Sequence, residues 1–295
     1  MTILPMLGKT VETSPLTGIW DAFPPRYTSV PDADAGGHDR MGFFTDTTLC
    51  IGCKACEVAC KQWNQLPSDG FKFTGNSYDN TEMLSETTWR HVAFKEKIGP
   101  SSSRWLMMSD VCKHCEDAPC QQSCPTGAII YNEFGSVYVQ PDICNGCGYC
   151  ISACPFGVLG RSKEDGRAHK CTLCYDRQKG DQTPACAKAC PTASIQFGPV
   201  EELRERARER VQQLHAGGNH DAYLYGADSV GDYGPLNAFF LLEDHPNEYN
   251  LPENPPQPLH DQGSRYAFGF LAGVALTALS ALFIGAGAKG SRNAR

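Results

Sequence analysis

Residues 50–60 read CIGCKACEVAC, four cysteines in eleven positions, and the protein repeats this crowding three more times. Thiolates are soft metal ligands and redox-active groups, so three chemistries compete for such a segment: a disulfide framework, a zinc site and an iron–sulfur cluster. The first group is C-x2-C-x2-C-x3-C at Cys50, Cys53, Cys56 and Cys60; the second is C-x2-C-x4-C-x3-C at Cys112, Cys115, Cys120 and Cys124. The third returns to the first spacing at Cys144, Cys147, Cys150 and Cys154, and the fourth stretches the middle gap at Cys171, Cys174, Cys186 and Cys190. Together they use all 16 cysteines.

Zinc sites usually take two separated cysteine pairs, whereas three cysteines at two-residue gaps wrap one loop around a bulkier object. A fourth cysteine three residues later, followed by proline, is the run of bacterial ferredoxins, whose last cysteine serves the other cluster. Pro125, Pro155 and Pro191 follow three of the groups, and Lys61 takes that place in the first. Disulfides at these spacings would close loops too short to be useful, and 295 residues can bury a core that needs no staples. The cysteines therefore read as ligands for four 4Fe–4S clusters, each on four thiolates, with no three-iron cluster.

Between groups two and three, PTGAIIYNEFGSVYVQPDIC sets apolar runs on either side of Asn132, Glu133, Phe134 and Gly135, a hairpin pattern. This hairpin and the linker length resemble a two-cluster bacterial ferredoxin. The resemblance implies that Cys112, Cys115 and Cys120 share a cluster with Cys154 (site C), while Cys144, Cys147 and Cys150 take Cys124 (site D). Groups one and four are left to form a second unit, with Cys50, Cys53, Cys56 and Cys190 on one cluster (site A) and Cys60, Cys171, Cys174 and Cys186 on the other (site B). Lys54, Lys113, Lys170 and Lys188 stand beside these cysteines, either as ordinary surface charge or as cations that raise a cluster's potential. The histidines form no helical pair; His114, inside CKHC, reads as a turn or supporting residue rather than a ligand. No GxGxxG, P-loop or nucleophile–base pair stands out, so the protein reads as a carrier of electrons without a bond-making site of its own.

The elements that hold these groups follow from pattern. The expected fold class is α+β: two interleaved bacterial-ferredoxin-like dicluster units and a single C-terminal transmembrane helix. An extended, Pro/Gly/Asp-rich arm at 1–40 precedes an outer unit made of 41–105 and 165–198, into which an inner unit at 106–164 is inserted. A helix and strand docking segment fills 199–252, with a helix from Val200 to Ala216 closed by Gly217 and Gly218 and a strand or two between Tyr223 and Asp244. A Pro-rich tether at 253–266 leads into residues 267–288, AFGFLAGVALTALSALFIGAGA, 22 residues without a charge. As a helix that run would be about 33 Å long, enough to cross a hydrocarbon core of about 30 Å. Gly269 and Gly273 form a GxxxG within it, a surface for close packing on a partner helix. Lys289, Arg292 and Arg295 make 289–295 a basic tail, while Arg265 closely precedes the span; the positive-inside rule then puts the tail in the cytoplasm and the globule on the periplasmic side. The N-terminus lacks the pattern of a secretory signal, so export with clusters already inserted would rely on a signal-bearing partner. The formal net charge of −7 argues against nucleic acid.

At the level of whole segments, the four groups, their order and their odd gaps resemble the iron–sulfur subunits of molybdopterin oxidoreductases. GFFTDTTLCIGCKACEVACKQWNQL, IQFGPVEELRERARERVQQLHAGG, LPENPP and the single C-terminal span narrow the likeness to the beta subunits of respiratory formate dehydrogenases, over roughly residues 41–288. That resemblance implies a catalytic partner with a molybdenum or tungsten bis-pterin centre oxidising formate, electrons received at site A, and delivery to a membrane cytochrome b and quinone, with the C-terminal helix in lipid against that cytochrome. The same carrier role in a thiosulfate, polysulfide or sulfoxide reductase or a membrane hydrogenase is the neighbouring alternative. A zinc-binding interaction protein is the alternative of a different class, and a freely diffusing ferredoxin sits poorly with the membrane helix.

Overall fold

The computed structural model describes residues 39–76, 78–99, 103–231, 233–256 and 262–292, the last with side chains from Tyr266 to Ala281. The expected arm at 1–40 and the end of the basic tail fall almost entirely outside the described residues.

A four-stranded sheet forms the base. Its strands are β1 (Met41–Asp46), β8 (Ile195–Pro199), β9 (Tyr223–Tyr225) and β10 (Ala238–Leu242), in the order β8-β1-β10-β9. β1 runs parallel to β10, while β8 and β9 pair antiparallel at the two edges. The inner strands read GFFT and AFFLL because both faces are covered, so alternation gives way to a continuous apolar run. Phe44, Phe239 and Leu241 point to α6 (Val200–Ala216) and meet Leu203 and Ala207, with Phe44 and Phe239 stacked at 5.4 Å. Phe43 points the other way, into the cluster of side chains that includes Cys56, Cys112, Cys120, Cys150, Cys171 and Cys186. The sheet thus joins β1, just before the first cysteine group, to strands that follow the last one, and its far face carries cysteines.

Above that face, β2 (Arg90–Ile98) and β3 (Ser103–Val111) form an antiparallel hairpin in register from Arg90↔Val111 to Ile98↔Ser103. β4 (Ile129–Tyr131) and β5 (Val137–Val139) make the smaller hairpin expected around Asn132–Gly135, and the Asn132 side-chain oxygen accepts from Ser136 N and Ser136 Oγ, both at 2.9 Å. β6 (Gly160–Arg161) and β7 (Ala168–His169) are a two-residue pair.

The remaining helices are short and each carries cysteine: α1 (Ala55–Asn64), α2 (Pro119–Gln122), α3 (Tyr149–Ala153) and α5 (Ala185–Lys188); α4 (Tyr175–Gln178) starts immediately after Cys174. α7 (Gln262–Arg292) continues beyond the tether for 31 residues. All its described side chains but the half-buried Ala267 are exposed, including Phe268, Phe270, Leu271 and Leu276. Among the described residues no helix is long and apolar enough to cross a membrane.

Candidate iron–sulfur centres

One backbone device recurs in the first C-x-x-C turn of every group. The residue before the second cysteine has positive φ in all four groups: Gly52 (64°), His114 (44°), Gly146 (71°) and Leu173 (55°). This left-handed residue curls the loop so that both thiols face the same side. Where glycine stands, a side chain could not: a Cβ on Gly146 would lie 2.1 Å from the Gly166 carbonyl oxygen, and one on Gly52 would meet Met107 and Phe94. His114 and Leu173 accept the strain, of order 1–2 kcal/mol per residue, because both side chains are completely buried and fill the interior between the cysteine loops. A second left-handed residue, Lys54 in group one and Gly148 in group three, then starts α1 and α3, each with the third cysteine in its first turn.

The loops converge from distant parts of the sequence. Cys50, Cys53, Cys56 and Cys190 line one cavity together with Val92, Ser109, Thr192 and Ile195, around about 300 Å³ of atom-free space. Cys60, Cys171, Cys174 and Cys186 line a second, of about 250 Å³, with Phe43, Asn64, Trp89 and Arg90. Elsewhere Cys115 sits against Cys112, Cys154 and Cys120, and burial followed by these neighbours pushes its thiol well up. Cys150 is pushed up to about 11 by burial, then by Cys124, Cys144 and Cys147. All sixteen cysteines are free thiols. Among the described residues no three His, Cys, Asp or Glu side chains close on a point as the ligands of a single metal ion would; the cysteine sets surround wider spaces.

Hydrogen bonds to sulfur are distributed over the sets. Cys56 Sγ lies 3.2 Å from Ser109 Oγ, Leu173 N donates to Cys171 Sγ at 3.3 Å, and Arg90 Nη2 donates to Cys186 Sγ at 3.3 Å. The last cysteines of groups two and four, Cys124 and Cys190, both precede Pro-Thr. Burial raises each thiol, but donors outweigh it: Thr126 with the backbone N–H groups of Ala128, Thr126 and Ile129 for Cys124, and the N–H groups of Ile195, Thr192 and Ser194 with the Thr192 hydroxyl for Cys190. Both thiols end below their ordinary value, prepared for the thiolate form.

The four lysines fall into different settings. Lys188 is exposed. Lys54 is half-buried, 3.7 Å from Glu57 and 3.9 Å from Asp79. Lys113 and Lys170 are buried at 1% and 2% exposure, so neither is surface charge. Lys113 pairs with Asp110 and lies over the rings of Phe156 and Phe240. Lys170 donates to the Val137 oxygen at 2.5 Å and the Cys171 oxygen at 2.9 Å; its charge is held, against burial, by Cys112, Cys120 and Cys171 from two different sets. Lys61, which stands where the other groups have proline, ties the following loop down through Pro67 O, Asp69 and Thr87 O. Gly269 and Gly273 lie on α7 with nothing within 4 Å of where a Cβ would stand, so no packing partner covers them among the described residues.

Two further donors, one on His114 of CKHC and one on Arg90, lie buried near the cysteines. Val137 N donates to His114 Nδ1 at 3.2 Å, which puts the imidazole proton on Nε2, and that atom is buried without a partner among the described residues. Burial, then Lys170 and Arg90, keeps this ring neutral. Arg90 Nε is likewise buried and unpartnered. Orphan buried donors are costly unless an acceptor is supplied. Sulfur-rich clusters with thiolate ligands are acceptors and anionic, so buried thiols, orphan donors and buried cations together fit such a group. Nothing local in TWRHVAF marks Arg90, since the same strand goes on to Lys95, Glu96 and Lys97.

Comparison with known proteins agrees with this chemistry. Two family models described as 4Fe–4S dicluster domains match residues 49–128 and 103–200, so the fold and the cysteine sites define an iron–sulfur protein of the dicluster class. The iron–sulfur subunit of the nitrate-inducible formate dehydrogenase of Escherichia coli (strain K12) is 42% identical over 214 residues, 71% of each protein. The formate dehydrogenase-O iron–sulfur subunit of the same organism is 43% identical over 224 residues, 74% of this sequence and 72% of the relative. A subunit of its anaerobic dimethyl sulfoxide reductase is 36% identical over 168 residues, 57% of this sequence and 77% of the relative. The chain belongs to the family of formate dehydrogenase iron–sulfur subunits, which carry 4Fe–4S domains and no catalytic domain of their own.

Proposed function

We propose that this protein is the electron-transfer subunit of a formate-oxidising complex, holding four 4Fe–4S clusters between a molybdenum- or tungsten-bis-pterin catalytic partner and a membrane cytochrome b that passes electrons to quinone. Bound clusters supply one-electron carriers; the protein supplies their ligands, their spacing from water and the surfaces at which partners meet them. Site A is assigned to Cys50, Cys53, Cys56 and Cys190; site B to Cys60, Cys171, Cys174 and Cys186; site C to Cys112, Cys115, Cys120 and Cys154; site D to Cys124, Cys144, Cys147 and Cys150.

The observation that carries the reading is the distribution of exposure. Cys53 in site A and Cys147 in site D are exposed, whereas the cysteines of sites B and C are buried or half-buried. A carrier needs two ends open to partners and a protected middle. Around site A, Ile51 and Val58 are 59% and 66% exposed, an apolar rim suited to a protein partner. The 267–288 segment is proposed as a single membrane span, with the globule on the periplasmic side and the tail in the cytoplasm, because its uncharged length matches a hydrocarbon core and α7 extends through it.

The test is electron paramagnetic resonance on the complex purified without oxygen, after formate and after dithionite, beside iron and acid-labile sulfide analysis. Cluster signals with formate are the expected result. Signals with dithionite alone would move the protein to a sulfoxide-reductase-like partner, and zinc without sulfide would sink the cluster reading altogether.

A further inference from the structure

Arg90 opens β2, and its side chain separates the cavities of sites A and B. It is 1% exposed, and its guanidinium carbon lies 4.7 Å from the centroid of the Phe43 ring. On one side Nη2 donates to Cys186 Sγ of site B at 3.3 Å. On the other, Nη1 donates to Ser109 O at 3.2 Å and lies 3.4 Å from Ser109 Oγ, which is itself 3.2 Å from Cys56 Sγ of site A. Ser109 lines the site A cavity and Arg90 lines that of site B.

A buried guanidinium without a counter-charge costs several kcal/mol. Among the described residues no carboxylate pairs with Arg90; the charges that act on it are those of Cys186, Cys56 and Cys171, drawn from both sites. Each cluster would add one negative charge on reduction, and a fixed cation in a medium of low dielectric stabilises that form. Donors aimed at ligand sulfur act in the same direction. A planar fork with donors on both edges can serve two sites at once, which a lysine ammonium cannot do in the same way.

We propose that Arg90 is the shared counter-charge of sites A and B, reaching Cys186 directly and Cys56 through Ser109, and that it raises the reduction potentials of both and keeps them matched. The inference rests on the reading that the two cavities hold 4Fe–4S clusters. Site D supplies an internal reference, because the groups acting on Cys150 are cysteines and no cation is among them.

The experiment is an anaerobic redox titration of the intact complex followed by paramagnetic resonance, with signals assigned through their loss in Cys53→Ser, Cys174→Ser and Cys147→Ser. In Arg90→Gln the equilibrium constant for reduction should fall about tenfold or more at sites A and B, 59 mV for a one-electron couple, with site D unmoved. Arg90→Lys, which keeps the charge, should recover most of the shift, and Ser109→Ala should lower site A alone. Unmoved sites A and B in an Arg90→Gln complex with full iron and sulfide content would overturn the proposal. So would an equal shift at all four sites, the mark of a general structural change. If Arg90→Gln does not assemble, Ser109→Ala decides: a lowered site A supports the bridge, and an unchanged one refutes it. Absence of four clusters' worth of iron and sulfide in the unmodified complex is a separate failure, that of the cluster reading itself.

Discussion

Sixteen free thiols in one protein set its behaviour at the residue scale. Burial first, with neighbouring thiols adding to it, pushes Cys171 and Cys174 up to about 12 from the ordinary 9.0. A group whose folded pKa exceeds its unfolded one binds its proton more tightly when folded. The cluster-free protein therefore keeps that stability below about pH 9 and loses it as the pH climbs through about 12. Thermal unfolding of cluster-free protein against pH should show this loss, while the loaded protein, whose thiols are already deprotonated ligands, lacks that window; a flat profile without clusters would contradict it. Ligand crossing gives a second outcome. Cys190→Ser should remove the site A signal and leave site B, because Cys190 lines the cavity of Cys50, Cys53 and Cys56; loss confined to site B would refute the assignment. These cysteines were legible from spacing alone, since ligand loops are local. Arg90 was not, because its partners Cys186 and Ser109 come from distant segments and burial is what gives the side chain its meaning.

At the scale of elements, the left-handed turn before each second cysteine is the unit of construction. Gly146 has both positive φ and a backbone oxygen where a Cβ would go, whereas Gly157, with φ of 60°, faces open space. Gly146→Ala should therefore abolish the site D signal, while Gly157→Ala should cost about 1–2 kcal/mol and keep all four. Denaturant unfolding and paramagnetic resonance on the two variants make the comparison, and equal effects would show that crowding by Gly166 is irrelevant. Helix α6 was readable from its charges, with Glu202 four residues before Arg206, and from the closing Gly217–Gly218. The hairpin at 129–139 was readable from the turn residues between two apolar runs. The parallel pairing of β1 with β10 was not, because nothing local in MGFFTD specifies a partner almost two hundred residues away. The β2–β3 hairpin is a further element not read from the sequence, although Gly99 and Pro100 stand between its two runs.

At the scale of the whole molecule, the proposed assignment puts the open ends at sites A and D and the protected middle at sites B and C, with Lys170 between the latter two as Arg90 is between the former. In such an arrangement the proposed span at 267–288 takes no part in holding clusters. Deleting residues 267–295 should leave iron, sulfide and all four signals in place while breaking formate-dependent quinone reduction; unchanged quinone reduction in the truncated complex would count against the proposed span. The proposed span rests on composition, an uncharged run of 22 residues at 267–288.

The sheet also dictates an order of manufacture. Polypeptides emerge from the ribosome N-terminus first, at about 5–20 residues per second. Cys112 to Cys154 arrive as one uninterrupted stretch, but the cavity begun by Cys50, Cys53 and Cys56 stays unfinished until Cys190 and Ile195 have been made. β1 then waits longer still for β10, the strand that covers its other edge. The first cysteines synthesised are thus among the last to be enclosed, and on the proposed pairing a translation arrest after residue 164 would leave every ligand of sites C and D made while sites A and B still lacked some of theirs.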